Sequence, residues 1–142
     1  MGEVSVQNIL VSPLQEILTD GGSVLHAIKK SDLAFCGFGE AYFSIINYKA
    51  IKAWKKHTKM TCNLIVPEGL VKFVFIDEFN SIREEIIGRR KYSRITVPPG
   101  IWFGFCGLDK ASNLILNISN IPHDEKEVVR EKTNFFDYIW NI

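Results

Sequence analysis

The sequence is short of several things, and each shortage closes off a class of protein. It has only three cysteines, Cys36, Cys62 and Cys106, without paired spacing, so no disulfide framework is expected. Its three histidines lie far apart and form no Cys/His cluster of the kind zinc requires. Long uncharged stretches are missing, and those present fall short of a membrane span. The opening Met1-Gly2-Glu3 carries an acid where a secretory leader would be basic and then apolar, so a reducing cytoplasm is the expected compartment. Charge of one sign is also missing: the formal net charge is +1 over 142 residues, and no global field points to nucleic acid or to a membrane. Repeats, low-complexity tracts and Pro/Ser-rich linkers are absent as well, so residues 1–142 read as a single domain.

What is present describes an ordinary folded chain. Hydrophobic residues make up 46% and charged residues 23%, close to the soluble globular average. Short apolar, β-branched or aromatic runs recur between turn residues: Ser23 to Ile28, Glu40 to Asn47, Ile51 to Trp54, Cys62 to Val66, Leu70 to Ile76, Tyr92 to Val97, Ile101 to Phe105 and Asn113 to Ser119. Pro67-Glu68-Gly69 and Pro98-Pro99-Gly100 each separate two such runs. Strands at this spacing predict a sandwich or barrel rather than a βαβ fold. Two segments read as short helices near the termini. One is Ser12 to Leu18; the other is Asp124 to Glu131, acidic at its start and basic later, as the helix dipole favours. The aromatic tail Phe135-Phe136-Asp137-Tyr138-Ile139-Trp140 is expected to dock on the barrel or on a second subunit.

Alternation within the strands separates two faces. Glu40, Tyr42 and Ser44 share one face, and Ala41, Phe43 and Ile45 the other; Asn113 and Asn117 oppose Leu114 and Leu116. The polar rows either face bulk water or line a wet pocket inside a barrel. Five lysines, Lys49, Lys52, Lys55, Lys56 and Lys59, fall within eleven residues. Such a strip suits a diphosphate, and it equally suits a solvated edge that discourages strand pairing.

The segment Lys52-Ala53-Trp54-Lys55-Lys56-His57-Thr58-Lys59-Met60-Thr61 resembles the strand of dTDP-4-dehydrorhamnose 3,5-epimerases that carries an Arg-Gly-Leu-His motif. It is closer still to a small branch of that family with a Lys-x-Trp-Lys-x-His-x-x-Met-Thr pattern. Pro98 to Phe105 resembles the family's Pro-x-Gly-x-x-His-Gly-Phe strand, and Asn117 to Glu125 the segment that closes its sugar site. Gly22 to His26 and Phe38 to Ser44 fit the first strands of the branch, so the resemblance covers about residues 17 to 126.

The resemblance implies an all-β double-stranded β-helix, the cupin or jelly-roll barrel, with short terminal helices. It implies a sugar-nucleotide isomerase that epimerises a 4-keto-6-deoxy nucleotide sugar at C3, C5 or both, in surface polysaccharide biosynthesis. It also implies a homodimer, with no metal and no organic cofactor. The alternatives are a non-catalytic nucleotide-sugar binder on the same barrel and a 3,4-ketoisomerase. A nucleic-acid-binding barrel is disfavoured by the even charge.

The chemistry needs a base, an acid on the far side and a cationic group for the enolate oxygen. This chain departs from the family pattern. The motif His falls on Lys55, the Arg on Lys52, the family Tyr on or beside Leu116, and Phe103 stands where the second strand has histidine. His57 shares a strand face with Lys55 and titrates near neutrality, which makes it the expected base, with Tyr42 as acid and Lys55 or Lys52 at the oxyanion. His57 is equally readable as a solvated strand-end histidine. Glu40, Ser44, Asn63, Asn117, His26, His123 and Trp102 complete the expected substrate-binding set. Of these, His26 also reads as a core histidine, His123 as a helix cap and Trp102 as core.

Overall fold

A computed structural model describes residues 3–142. Its strands in chain order are β1 (Leu10–Pro13), β2 (Glu16–Thr19), β3 (Gly22–Leu25), β4 (Glu40–Ile45), β5 (Ile51–His57), β6 (Cys62–Glu68), β7 (Leu70–Ile76), β8 (Ile82–Gly88), β9 (Ser93–Val97), β10 (Trp102–Gly107), β11 (Leu114–Ser119) and β12 (Val128–Arg130). One five-stranded sheet runs β1-β9-β6-β11-β4 and a second runs β12-β5-β10-β7-β8, while β2 and β3 form a separate hairpin. The pairings are antiparallel. Consecutive strands alternate between the two sheets over much of the chain, which is the double-stranded β-helix of a cupin barrel.

The expected terminal helices are not there. Ser12 to Leu18 divides between β1 and β2, and Asp124 to Glu131 becomes a 3-10 turn, Glu125–Glu127, followed by β12. In the second case Asp124 does cap the turn, its side chain accepting from Lys126 N at 3.0 Å. The turn stops there because Val128 to Arg130 find partners on β5, and sheet pairing outweighs weak helix propensity over so few residues. No helix among the described residues is long and apolar enough to cross a membrane.

The two sheets enclose an apolar core of Leu64, Val66, Val71, Phe73, Phe75, Ile87, Ile95 and Ile101, all at most 4% exposed. Phe73 and Phe75 stack at 6.3 Å, and Phe105 and Phe103 carry the aromatic row toward the barrel mouth at 5.7 and 6.1 Å. A second cluster lies on the outer face of the β5-β10-β7 sheet. There Trp54, Val74 and Ile76 are covered by Phe136, Tyr138 and Trp140 of the C-terminal tail, so the tail docks on its own barrel. Phe136 and Tyr138 meet Trp54 edge-on at 5.2 and 6.2 Å, and pairs of this kind add about 0.5–1.5 kcal/mol each beyond burial.

One irregularity sets up the site. Phe103 pairs with Lys55 but Phe105 pairs with Lys52, so Ala53 and Trp54 together oppose Gly104 alone. This is a β-bulge. It brings Lys52 and Lys55, three positions apart, onto the same inward face, while Trp54 turns outward into the tail. A Cβ on Gly104 would lie 2.5 Å from the Ala53 Cβ, so the close approach requires glycine.

Candidate active site

A cavity of about 330 Å³ opens at the barrel mouth between β4 on one sheet and β5, β10 and β12 on the other. Tyr42 and Ser44 project into it from β4, and Lys52 and Lys55 from the bulged β5. Phe103 and Phe105 form its floor, and Arg130 of β12 closes a side. The polar row of β4 therefore faces inward, and its apolar partners Phe43 and Ile45 face out, 63% and 66% exposed.

The cavity is cationic. Lys52, Lys55 and Arg130 all line it, and Lys55 and Arg130 are direct neighbours across the β5–β12 pair. Arg130 is partly neutralised by Glu125, at 3.0 Å. Lys55 has no carboxylate within ion-pair distance among the described residues; its Nζ lies 5.6 Å over the Phe103 ring. Burial pulls the Lys55 ammonium below its ordinary value, and nearby Arg130 and Lys52 act in the same direction. The buried Cys62 thiol close by is pushed up to about 12 by burial, so it stays protonated and offers no counter-charge.

Tyr42 faces these cations. Its hydroxyl accepts from Asn117 Nδ2 at 3.1 Å. Burial raises the phenol above its ordinary value, against the lowering effect of that bond, so it remains a proton donor near neutrality. Asn117 is buried between Tyr42 and Cys62, with its Oδ1 unpaired.

His57 sits one step deeper. It does not line the cavity, but its ring lies 6.2 Å from that of Phe103, which does. Its Nδ1 is 2.5 Å from Glu127 Oε1. Glu127 Oε2 accepts from the backbone amides of Thr58, Lys59 and Met60 at 3.1–3.2 Å. Burial alone would raise the Glu127 carboxyl, but His57 and the amides of Lys59 and Met60 outweigh it and hold the group below the usual carboxylate range. An ionised carboxylate only accepts, so Nδ1 carries the proton and Nε2 presents a lone pair. That Nε2 is buried and unpartnered. Burial also lowers the His57 imidazolium, outweighing the pull of Glu127 in the other direction. The ring is therefore neutral near pH 7, oriented as a base.

Not all of the expected residues converge here. Tyr42, Ser44, Lys52 and Lys55 line the cavity, and Asn117 lies under Tyr42. Glu40 sits at the start of β4, where its carboxylate accepts from His123 N; the His123 ring is exposed and pairs with Glu125. Asn63 is turned away from the site: it faces outward opposite Thr96, whose hydroxyl donates to its Oδ1 at 2.6 Å. Trp102 is likewise outside, packed on Phe135 and Phe136, because alternation sends its neighbour Phe103 inward. His26 lines a different cavity of about 570 Å³, under the 26–34 loop on the outer face of the first sheet. Arg130 and Glu127 were not foreseen. The β-branched pair Val128-Val129 was the available signal, and the acidic-then-basic pattern masked it. Among the described residues, no group of three or more His, Cys, Asp or Glu side chains is placed to hold a metal ion.

A cupin barrel with a cationic mouth, a phenol on one sheet and a carboxylate-oriented imidazole on the other is equipped for proton transfer on an anionic sugar nucleotide. Comparison with known proteins agrees. A dTDP-sugar isomerase from Desulfovibrio desulfuricans G20 is 32% identical, with a TM-score of 0.90 over 95% of this chain and 92% of that one. This chain is therefore a member of the dTDP-sugar isomerase family. Two further structures share the fold. A sugar 3,4-ketoisomerase from Thermoanaerobacterium thermosaccharolyticum in complex with TDP is 16% identical, with a TM-score of 0.77 over 92% of each chain. A dTDP-4-dehydrorhamnose 3,5-epimerase from Sulfolobus tokodaii is 13% identical, with a TM-score of 0.80 over 92% of this chain and 80% of that one. No family model matches the sequence, and no curated protein does.

Proposed function

We propose that the chain is a sugar-nucleotide isomerase that epimerises a 4-keto-6-deoxy nucleotide sugar at C3, C5 or both. The observation that carries this reading is the cavity itself: in a barrel 32% identical to a dTDP-sugar isomerase, it gathers Tyr42, Lys52, Lys55 and Arg130 around one space. A carbon beside a ketone loses a proton readily only if the developing oxyanion is stabilised. Lys55 or Lys52 supplies that charge, and Arg130 with the remaining lysine suits the diphosphate. His57, held by Glu127, takes the proton from the β5 side, reaching the sugar past Phe103. Tyr42 returns one from the β4 side. Removal on one face and return on the other inverts the carbon.

The exposed apolar row of Phe43 and Ile45 supports a homodimer formed through that sheet face. Surface polysaccharide synthesis in the cytoplasm is the proposed setting. Incubation with dTDP-4-keto-6-deoxyglucose followed by proton NMR tests the reading. Inversion at C3 or C5 is the expected product. Movement of the keto group to C3 would make the chain a ketoisomerase, and thermal stabilisation with unchanged sugar would make it a binder.

A further inference from the structure

We propose that Lys55 forms a covalent imine with the keto carbon of the substrate, so that an iminium rather than a hydrogen-bonded carbonyl acidifies the neighbouring C–H bonds. This rests on the reading of the chain as a keto-sugar isomerase.

The argument starts from the surroundings of Lys55. An amine attacks a carbonyl only as the free base, and a lysine is made available in that form by apolar burial, by cationic neighbours and by the absence of a carboxylate. Lys55 has all three. Its Nζ lies over the Phe103 ring, and it has no ion-pair partner among the described residues. Arg130 stands beside it across the sheet, and Lys52 shares its face through the bulge. Burial is the largest cause that draws the Lys55 ammonium down; Arg130 and Lys52 add to it, against the smaller opposing pull of Glu127. The other lysines differ. Lys72 pairs with Glu84, Lys56 lies over Trp102 on the outer face, and Lys52 is exposed at the rim.

Tyr42 lines the cavity with Lys55, and His57 lies behind Phe103 with its Nε2 unpartnered, so its part in the cycle requires Phe103 to give way. The Lys55 nitrogen adds to the keto carbon, and the carbonyl oxygen, taking one proton from the amine and one from solvent, leaves as water to give a protonated iminium. His57 Nε2 removes a proton from the adjacent carbon, and that electron pair flows to the iminium nitrogen, leaving a neutral enamine. The Tyr42 hydroxyl returns a proton to carbon on the opposite face. One water then hydrolyses the iminium, restoring ketone and amine and returning a proton to solvent; His57 releases its proton to solvent and Tyr42 regains one from it, so the cycle consumes nothing. A lysine at this position is then an exchange of chemistry: the electron sink moves from oxygen to nitrogen.

The test is reductive trapping. The intact protein is incubated with dTDP-4-keto-6-deoxyglucose and sodium cyanoborohydride, then examined by intact mass and by peptide mapping. Deuterium entry at C3 and C5 of the sugar is followed in parallel in heavy water. The expected result is an adduct of the sugar nucleotide's mass less one oxygen, mapped to Lys55 and retained in Lys56→Arg. Lys55→Arg, which keeps the charge but forms no imine, is expected to lose the adduct and to slow exchange roughly 100-fold or more, the scale on which a single catalytic group acts. Exchange in the wild type without an adduct, an adduct on Lys52, or brisk exchange in Lys55→Arg would overturn the imine and leave the isomerase reading standing. Absence of both exchange and adduct would overturn the two together. The wild-type trapping result holds even if Lys55→Arg fails to fold.

Discussion

Glu127 Oε1 lies 2.5 Å from His57 Nδ1 across seventy positions of sequence, and the other oxygen of the same carboxylate is held by three successive backbone amides. The carboxylate therefore does two things at once. It ties β12 to the end of β5, and it fixes which ring nitrogen carries the proton.

Glu127→Gln separates these roles. With its amide oxygen still serving the Thr58, Lys59 and Met60 amides, its NH2 group faces Nδ1 and forces the proton to Nε2. The expected outcome is a fall in kcat of roughly 10²–10⁴-fold with little change in KM, and a stability loss of about 1–3 kcal/mol. Steady-state kinetics and a thermal melt read both.

The pH dependence follows from the same pair. His57 titrates below its ordinary value of 6.5 because burial disfavours the imidazolium, so as pH falls between 6.5 and that lower value the unfolded chain binds a proton that the folded ring refuses. Stability is full above 6.5 and is lost on descending through this window. Glu127, also held low, adds a further loss below 4.5. Activity that needs neutral His57 is expected to survive to below pH 6.5 before falling. Tm and kcat measured from pH 8 to pH 4 check this, and an acid limb centred above 6.5 would contradict it.

Lys55→Met is expected to abolish activity and to raise Tm at neutral pH. Burial and neighbouring cations make the ammonium costly in the folded state, and a thioether of similar reach fits over Phe103 without that cost. The gain is present at neutral pH and fades as pH rises toward 10.5, where the unfolded amine is also neutral. Differential scanning calorimetry at pH 7 and pH 10 measures it.

The C-terminal tail acts on the site through Trp54. Its indole donates to Thr133 O at 3.0 Å, and its backbone exchanges hydrogen bonds with Glu131 in both directions. Those contacts hold the bulge that aims Lys52 and Lys55. Trp54→Ala is expected to cost about 3–5 kcal/mol. The milder deletion of residues 135–142 strips Phe136, Tyr138 and Trp140 from Trp54 but keeps Glu131 and Thr133, and it is expected to lower Tm and to raise KM as the uncovered indole loosens the bulge. Urea unfolding and substrate titration distinguish the two effects.

Much of the barrel was legible because its strands are short apolar runs bounded by turn residues, and its pocket face because β4 alternates. Leu70 to Ile76 matches β7 at both ends, and the polar row Tyr42 and Ser44 does line a pocket. β8 escaped because Arg83, Glu84 and Glu85 break its apolar pattern, as an edge strand tolerates. Leu14, Ile17 and Leu18 have helical spacing, yet they fall on β-structure and its connection because backbone partners on β9 and β3 decide the outcome. The bulge at Ala53 and Trp54 leaves no local mark beyond Gly104, so strict alternation could not show that Lys52 and Lys55 share a face. For the same reason the pairing of His57 with Glu127 was invisible: it depends on register between β5 and β12.

The most direct test is solvent exchange into dTDP-4-keto-6-deoxyglucose in heavy water, followed by NMR for the wild type and for His57→Ala. The account predicts deuterium at C3 or C5 with the wild type and a loss of at least roughly 10²-fold in the variant. Full exchange in His57→Ala would contradict the assignment of the base, and no exchange in the wild type despite tight binding would contradict the isomerase itself.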